Sequence, residues 1–294
     1  TSNTTEYTLC GTTGETAVTT NKYSKSGIIS GKTRITPGTT SDFREPDLVV
    51  GSGTEYDASD TSSDTYYKTI LGKTGTKEQL AQLFADEYKA MIESVSKYGG
   101  FYIGRYELSG TVTEPTEKPG KTLTKTDWYN LYNACRSSKL QASDKVKTQM
   151  IWGCQWDVTM NWLISSGAKT SNEVNKDSSS WGNYKDSTEN AKVTVTEEDG
   201  TTTNKYGSKQ NTGYSEYWKA NNIYDLAGNC FEWTQEAGYT HYRAVRGGNY
   251  SYSGSSNPGS NRYDYDPALS SGYGTRFSSH FNNKVKIERL ILTV

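Results

Sequence analysis

The sequence predicts an α+β fold, on three observations. One long segment repeats apolar residues at helical spacing, an aromatic-rich strand follows it directly, and further strand-like runs are spread over the C-terminal half. A twisted antiparallel sheet, covering helices and long polar loops are the expected parts. The strongest helix should begin at Thr76, which forms a capping box with Gln79. Leu80, Leu83, Phe84, Tyr88, Met91, Ile92 and Val95 then share one face, and Gly99-Gly100 supplies the stop.

The strand is expected over Phe101–Leu108, and a two-proline loop follows at Gly110–Lys121. A second helix is expected from about Thr126 to Lys139, because Trp128, Leu131, Tyr132 and Cys135 fall on one side. A third should run from about Cys154 to Ser165, with Trp156, Met160 and Leu163 inward. Residues 166–217 read as a polar excursion holding a hairpin, with Val193 and Val195 ahead of the turn at Glu198-Asp199-Gly200. A closing strand is expected between Lys284 and Val294. The first 75 residues, rich in Thr, Ser and Gly, read as an irregular or small β-rich N-terminal extension, with short strand-like runs at Gly27-Ile28-Ile29 and Asp47-Leu48-Val49-Val50. The main domain is expected to occupy residues 76–294. The chain opens on Thr-Ser-Asn-Thr-Thr with neither a start methionine nor an apolar signal core, as expected of a mature or truncated form.

Composition narrows the function classes. Lys and Arg number 32 against 33 Asp and Glu, a balance that argues against the basic stripe nucleic acid requires. With no apolar run of eighteen residues, no membrane insertion is expected. Mean hydropathy is −0.81, yet the chain carries 7 Trp and 23 Tyr, so it should fold around an aromatic core under polar loops. Cys10, Cys135, Cys154 and Cys230 include no CxxC pair and there are two histidines, His241 and His280, so a zinc site is not expected. Both histidines are expected in or beside loops without a nucleophile context, and the thiols as buried small hydrophobes.

Four motifs stand in order: Phe101-Tyr102-Ile103-Gly104-Arg105-Tyr106-Glu107, then Asp225-Leu226-Ala227-Gly228-Asn229-Cys230-Phe231-Glu232-Trp233-Thr234, then Arg246-Gly247-Gly248, then Gly274-Thr275-Arg276-Phe277. Together, over about residues 99–281, they resemble the formylglycine-generating-enzyme-like (sulfatase-modifying-factor) family, a branch of the C-type lectin fold. The family patterns are "FxIxKYEVT", "DLxGNVWEWT", "RGGSW" and "GFR". This chain departs from them at Phe231, which stands for a Trp, at Cys230 for a small apolar residue, and at Asn249-Tyr250 for Ser-Trp.

The resemblance implies a C-type-lectin-like sheet in which Phe101–Leu108 pairs with strands near Arg243–Arg246 and Gly274–Phe281, covered by the helices of Trp128 and Trp156. It offers two activities. The oxidase branch uses a late cysteine pair, and no cysteine lies between Ser251 and Val294, so an enzyme is not expected. The other branch, the variable proteins of diversity-generating retroelements, carries a hypervariable ligand-binding segment between "RGG" and "GFR". A static lectin or adhesin of the same fold is the alternative. The matching segment, 249–273, is 20 parts in 25 Tyr, Ser, Asn, Asp or Gly, the alphabet of antibody combining loops.

The residues expected to touch ligand are Tyr250, Ser251, Tyr252, Ser253, Ser255, Ser256, Asn257, Tyr263, Asp264, Tyr265, Asp266, Ser270, Ser271 and Tyr273, with Tyr250, Tyr263 and Tyr265 clustered on the surface. Arg262 and Pro267 are expected to be scaffold, one pairing inward and the other setting a turn. The implied partner is a macromolecule, protein or glycan, on another cell or host, met outside the cytosol on a cell surface, appendage or phage particle. The resemblance also implies a calcium site from the carboxylates of Asp225 and Glu232 and the carbonyls of Gly228 and Cys230. The alternative is that Asp225 and Glu232 cap turns and pair with Arg243 or Arg246.

Overall fold

The computed structural model describes residues 77–188, 193–196, 199–200, 202–205, 207–237, 242–268 and 272–281, and two short strands at 21–23 and 43–45. The strand-like runs at 27–29 and 47–50, the cap at Thr76, Cys10, His241, Ser270, Ser271 and the segment 284–294 lie outside the described residues.

In chain order the elements are β1 (Asn21–Tyr23), β2 (Phe43–Glu45), α1 (Lys77–Tyr98), β3 (Tyr102–Ile103), β4 (Ser109–Gly110), β5 (Pro115–Thr116), α2 (Trp128–Cys135), β6 (Val146–Met150), α3 (Gly153–Ser165) and α4 (Ser171–Asn175). There follow β7 (Val193–Thr196), β8 (Thr202–Lys205), β9 (Lys219–Ala220), β10 (Ile223–Tyr224), β11 (Glu232–Ala237), β12 (Arg243–Arg246), β13 (Arg262–Tyr265), β14 (Gly274–Thr275) and β15 (Phe277–Phe281). The fold is α+β.

Helix α1 buries Leu80, Phe84, Tyr88, Met91 and Val95, and Gly99 ends it at φ +82° with its N–H on the Val95 carbonyl. Helix α2 is shorter than the apolar pattern suggests. Asp127 caps its start by accepting from the Asn130 N–H, but at its end the N–H groups of Arg136 and Ser137 bond the carbonyls of Asn133 and Ala134. That tightening unwinds the chain into a 3₁₀ turn at Ser138–Leu140. Helix α3 matches its expected span within one residue.

The main sheet runs β1-β2-β11-β12-β13, with β14 pairing parallel to the first residues of β11, Glu232 and Trp233. A second sheet, β3-β15-β6, is antiparallel. Here the expected pairing needs correction. Residues 101–108 give a strand only at Tyr102–Ile103, which pairs with β15 and not with β12. Beyond it Gly104 N and Leu108 N still reach the carbonyls of Phe277 and Thr275, but Glu107 N turns to the Thr212 hydroxyl and the ladder breaks. Strand β12 has no side left for it, since β11 and β13 flank it.

Two aromatic cores follow from this layout. One joins Leu80 and Phe84 of α1, Trp128, Leu131 and Tyr132 of α2, Trp233, Val245 and Phe277. The Trp128 indole N–H, fully buried, finds the Thr234 carbonyl at 2.8 Å, and the Arg243 guanidinium lies 4.4 Å from its ring centroid. The other gathers Trp156, Met160 and Leu163 of α3 with Trp181, Tyr184, Ile223, Leu226 and Ala227. Residues 166–217 are therefore not simply a polar excursion. They hold α4, capped reciprocally by Thr170 and Glu173, and they donate Trp181 and Tyr184 to the core. His280, expected in or beside a loop, sits buried in β15.

Candidate ligand-binding surface

The segment from Asn249 to Tyr273 leaves the sheet after β12 and returns as β13. Its exit is Gly247-Gly248, both at positive φ; a side chain at Gly248 would meet the Asn257 carbonyl at 2.3 Å. The backbone is then tied down repeatedly. The Tyr250 N–H bonds the Asn229 carbonyl, and the Tyr252 carbonyl accepts from Lys185 N. Gly254 donates to Asp186 Oδ1 at 2.8 Å, and its carbonyl accepts from Ser178 N. The Gly259 carbonyl accepts from the Trp156 indole at 3.0 Å.

Beneath the segment lies a buried charge cluster. Arg246 of β12 donates to Asp157 Oδ1 at 2.6 Å and lies 3.4 Å from Glu236 Oε2. Arg262 of β13 pairs with Asp157 Oδ2 and, at 2.9 Å, with Glu236 Oε2. Two guanidiniums thus face two carboxylates, all four side chains at most 5% exposed. Burial pushes the Glu236 carboxyl up, against the pull of Arg262 and Arg246. Arg246 also donates to the carbonyls of Ser260 and Asn261. Arg262 turns inward, as the sequence reading expects, and Trp128 N takes the Pro267 carbonyl at the segment's far end.

The outer side is aromatic. Tyr252 and Tyr263 are 42% and 45% exposed, and Tyr265 is half-buried. With Phe231, Ser256, Asn257 and Asn261 they line a cavity of about 290 Å³. The Tyr263 and Tyr265 ring centroids are 5.2 Å apart, and Phe231 lies 5.8 Å from Tyr252 and 6.4 Å from Tyr265. Tyr250 is half-buried and does not line this cavity; Tyr252 takes the place expected of it. Ser251, Ser255 and Ser256 are exposed, while Ser253 and Asp264 are half-buried. Ser253, Ser255 and Ser256 hydrogen-bond among themselves.

Asp266 is buried and accepts from the Ala268 N–H, which makes it a turn former. Tyr273 wedges between Phe231, Trp233 and Tyr265 at 5.4, 5.6 and 4.7 Å, so its ring belongs largely to the core edge. Phe231 and Asn261 were not among the expected ligand residues. The departure from Trp at Phe231 was the signal for one; Asn261 carried none beyond its place in the segment.

Of the implied calcium ligands Glu232 is already committed, whereas Asp225 Oδ1 is buried without a hydrogen-bond partner. Both oxygens of Glu232 are engaged by Arg276, at 2.7 Å from Nε and 2.5 Å from Nη2, so a guanidinium already holds the positive charge there. Asp225 Oδ2 accepts from Thr212 Oγ1 and Gly213 N, both at 2.8 Å. Neither acid pairs with Arg243 or Arg246 as the alternative had it. Among the described residues no group of three or more His, Cys, Asp or Glu side chains is placed to hold a metal ion.

Glu107, also buried, accepts from Thr122 and Asn229 beside them. Burial lifts all three carboxyls, with Asp225 and Glu232 each raised to about 6; at Glu107 the charges of Asp225 and Glu232 add to the lift. Cys135, Cys154 and Cys230 are buried and form no disulfide, and burial raises the thiols of Cys135 and Cys230.

No protein-family model matches the chain, and no curated protein sequence does. Among solved structures the chain is similar to Treponema denticola variable protein 1, over 54% of this chain and 70% of that one, at 13% identity and a TM-score of 0.34. Among the described residues, no helix is long and apolar enough to cross a membrane.

Proposed function

We propose that this chain is a non-enzymatic binding protein of the C-type-lectin-like, formylglycine-generating-enzyme-like class, and that residues 249–273 carry its ligand-contacting surface. One observation carries the reading. The segment's backbone is pinned from below by Asp186, Trp156 and Arg246, while the side chains of Tyr252, Ser255, Ser256 and Tyr263 face outward. Such a surface can change residues without changing its scaffold, which is the property a diversified binding protein needs. Tyrosine suits the task because it gives large contact area at small rotamer cost. Diversification by a retroelement, display outside the cytosol on a cell surface, appendage or phage particle, and a macromolecular partner on another cell all belong to this proposal.

A static lectin or adhesin is the second reading, and the locus separates the two. A reverse-transcriptase gene with a near-copy of the coding region for residues 249–273 beside it supports the first; their absence leaves the static binder. The binding reading itself fails if the Tyr252→Ala, Tyr263→Ala double variant unfolds, for these tyrosines would then be core. An oxidase needs an accessible thiolate pair, and the free thiols of Cys135 and Cys230 are buried with raised pKa.

A further inference from the structure

The tyrosine-walled cavity constrains the chemistry of what it binds, granted that the surface above is a binding surface. Its lining contains no Asp, Glu, Lys, Arg or His. Arg262, the adjacent cation, is engaged by Asp157 and Glu236 on the opposite face of β13, so an anionic group finds no counter-charge here. A cationic group is not favoured either. Tyr263 and Tyr265 touch each other at 5.2 Å and 44°, forming one continuous wall and not two rings facing across a gap, and no carboxylate joins the lining.

The polar part of the lining is fixed in place. Arg246 Nε holds the Asn261 carbonyl at 2.9 Å, the Asn261 carboxamide donates to Asn257 Oδ1 at 2.8 Å, and Asn257 Nδ2 reaches Ser256 Oγ at 3.3 Å. Asn261 Oδ1 and the second N–H of each carboxamide remain for a ligand. A purely apolar group filling the cavity would strip water from these atoms and leave them unpaired. The occupant therefore needs an apolar face for the rings and neutral groups, donating and accepting, for the carboxamides. A pyranose ring has both, with C–H bonds on one face and hydroxyls around its edge, and about 290 Å³ accommodates one such ring.

We propose that this cavity is the primary subsite for a single neutral pyranose residue of a glycan. Phe231 is its floor, and Asn257 and Asn261 orient the hydroxyls.

The test uses the full chain and saturation-transfer NMR with four probes: the methyl glycosides of glucose, galactose, mannose and N-acetylglucosamine. N-acetyltyrosinamide and N-acetylargininamide are run beside them. At least one glycoside should take up saturation on its ring protons. Phe231→Trp, which fills the floor, should abolish that signal, and Asn261→Leu should weaken binding at least tenfold while the fold stays intact. The second variant keeps the test valid if the first fails to fold. Glycoside binding indifferent to both variants overturns the proposal. Silence from all four glycosides, with an amino-acid amide binding in a Phe231→Trp-sensitive way, also overturns it, but leaves the binding-surface reading standing. Silence from every probe counts against both.

Discussion

The two faces of the segment after β12 are built on opposite principles. Inward, Arg262 is buried and meets two carboxylates; outward, Tyr252 and Tyr263 are nearly half exposed and touch mainly other rings. Residues 262 and 263 are neighbours in sequence, and the alternation of a strand alone sends them to different worlds. The inner face determines whether the segment has one shape. The outer face leaves Tyr252 and Tyr263 nearly half exposed to solvent.

The largest effect expected from breaking this contrast is at Arg262. Arg262→Met leaves Asp157 and Glu236 buried with Arg246 alone, and unfolding in urea should reveal a loss of about 3–5 kcal/mol. If the loss is under 1 kcal/mol, the inner face is not the pillar described here.

Next comes a buried cationic candidate that lacks such partners. His280 is buried on β15 with both ring nitrogens unpartnered; burial, then Lys147, lowers its pKa from 6.5 to about 4. Its native state favours the neutral ring, so its contribution to stability is full above pH 6.5 and is lost as pH falls through 6.5 towards 4. Relative to His280→Leu, the wild type should lose about 3 kcal/mol between pH 7 and pH 4. Asp225 and Glu232, raised to about 6, act in the opposite direction. They are common to both proteins and cancel in the difference. Parallel pH curves for the two proteins would mean that His280 is protonated or hydrated in the native state.

Gly248→Ala is expected to cost about 2 kcal/mol in thermal unfolding, because φ is +75° and the added carbon would meet the Asn257 carbonyl. Smallest of all, Tyr252→Ala and Tyr263→Ala should each change stability by less than about 0.5 kcal/mol, the size of an ordinary surface substitution.

The same contrast explains what could be read in the sequence. Helices α1 and α3 were legible because Leu80, Phe84 and Tyr88, or Trp156, Met160 and Leu163, repeat at helical spacing. The inward turn of Arg262 was legible as an exception in a Tyr/Ser/Asn run. What was not legible came from distant partners. Trp181 and Tyr184 join the core without any periodicity around them. The strand at 101–108 stops because Glu107 finds Thr212, a residue 105 positions away. Arg276 takes Glu232 from the implied calcium set across 44 positions. Phe231 lies outside residues 249–273, yet its ring lines the cavity together with Tyr252, Tyr263 and Tyr265.

The most direct test of the account is a saturation scan of residues 249–268 with folding as the readout, through protease resistance of the displayed chain. It needs no ligand. The account predicts an alternating record. Tyr252, Ser255, Ser256 and Tyr263 should accept nearly every residue but proline, whereas Arg262, Gly254 and Gly259 should accept almost none. Tyr252 and Tyr263 proving as intolerant as Arg262 would contradict it, for the outer face would then be holding the fold together.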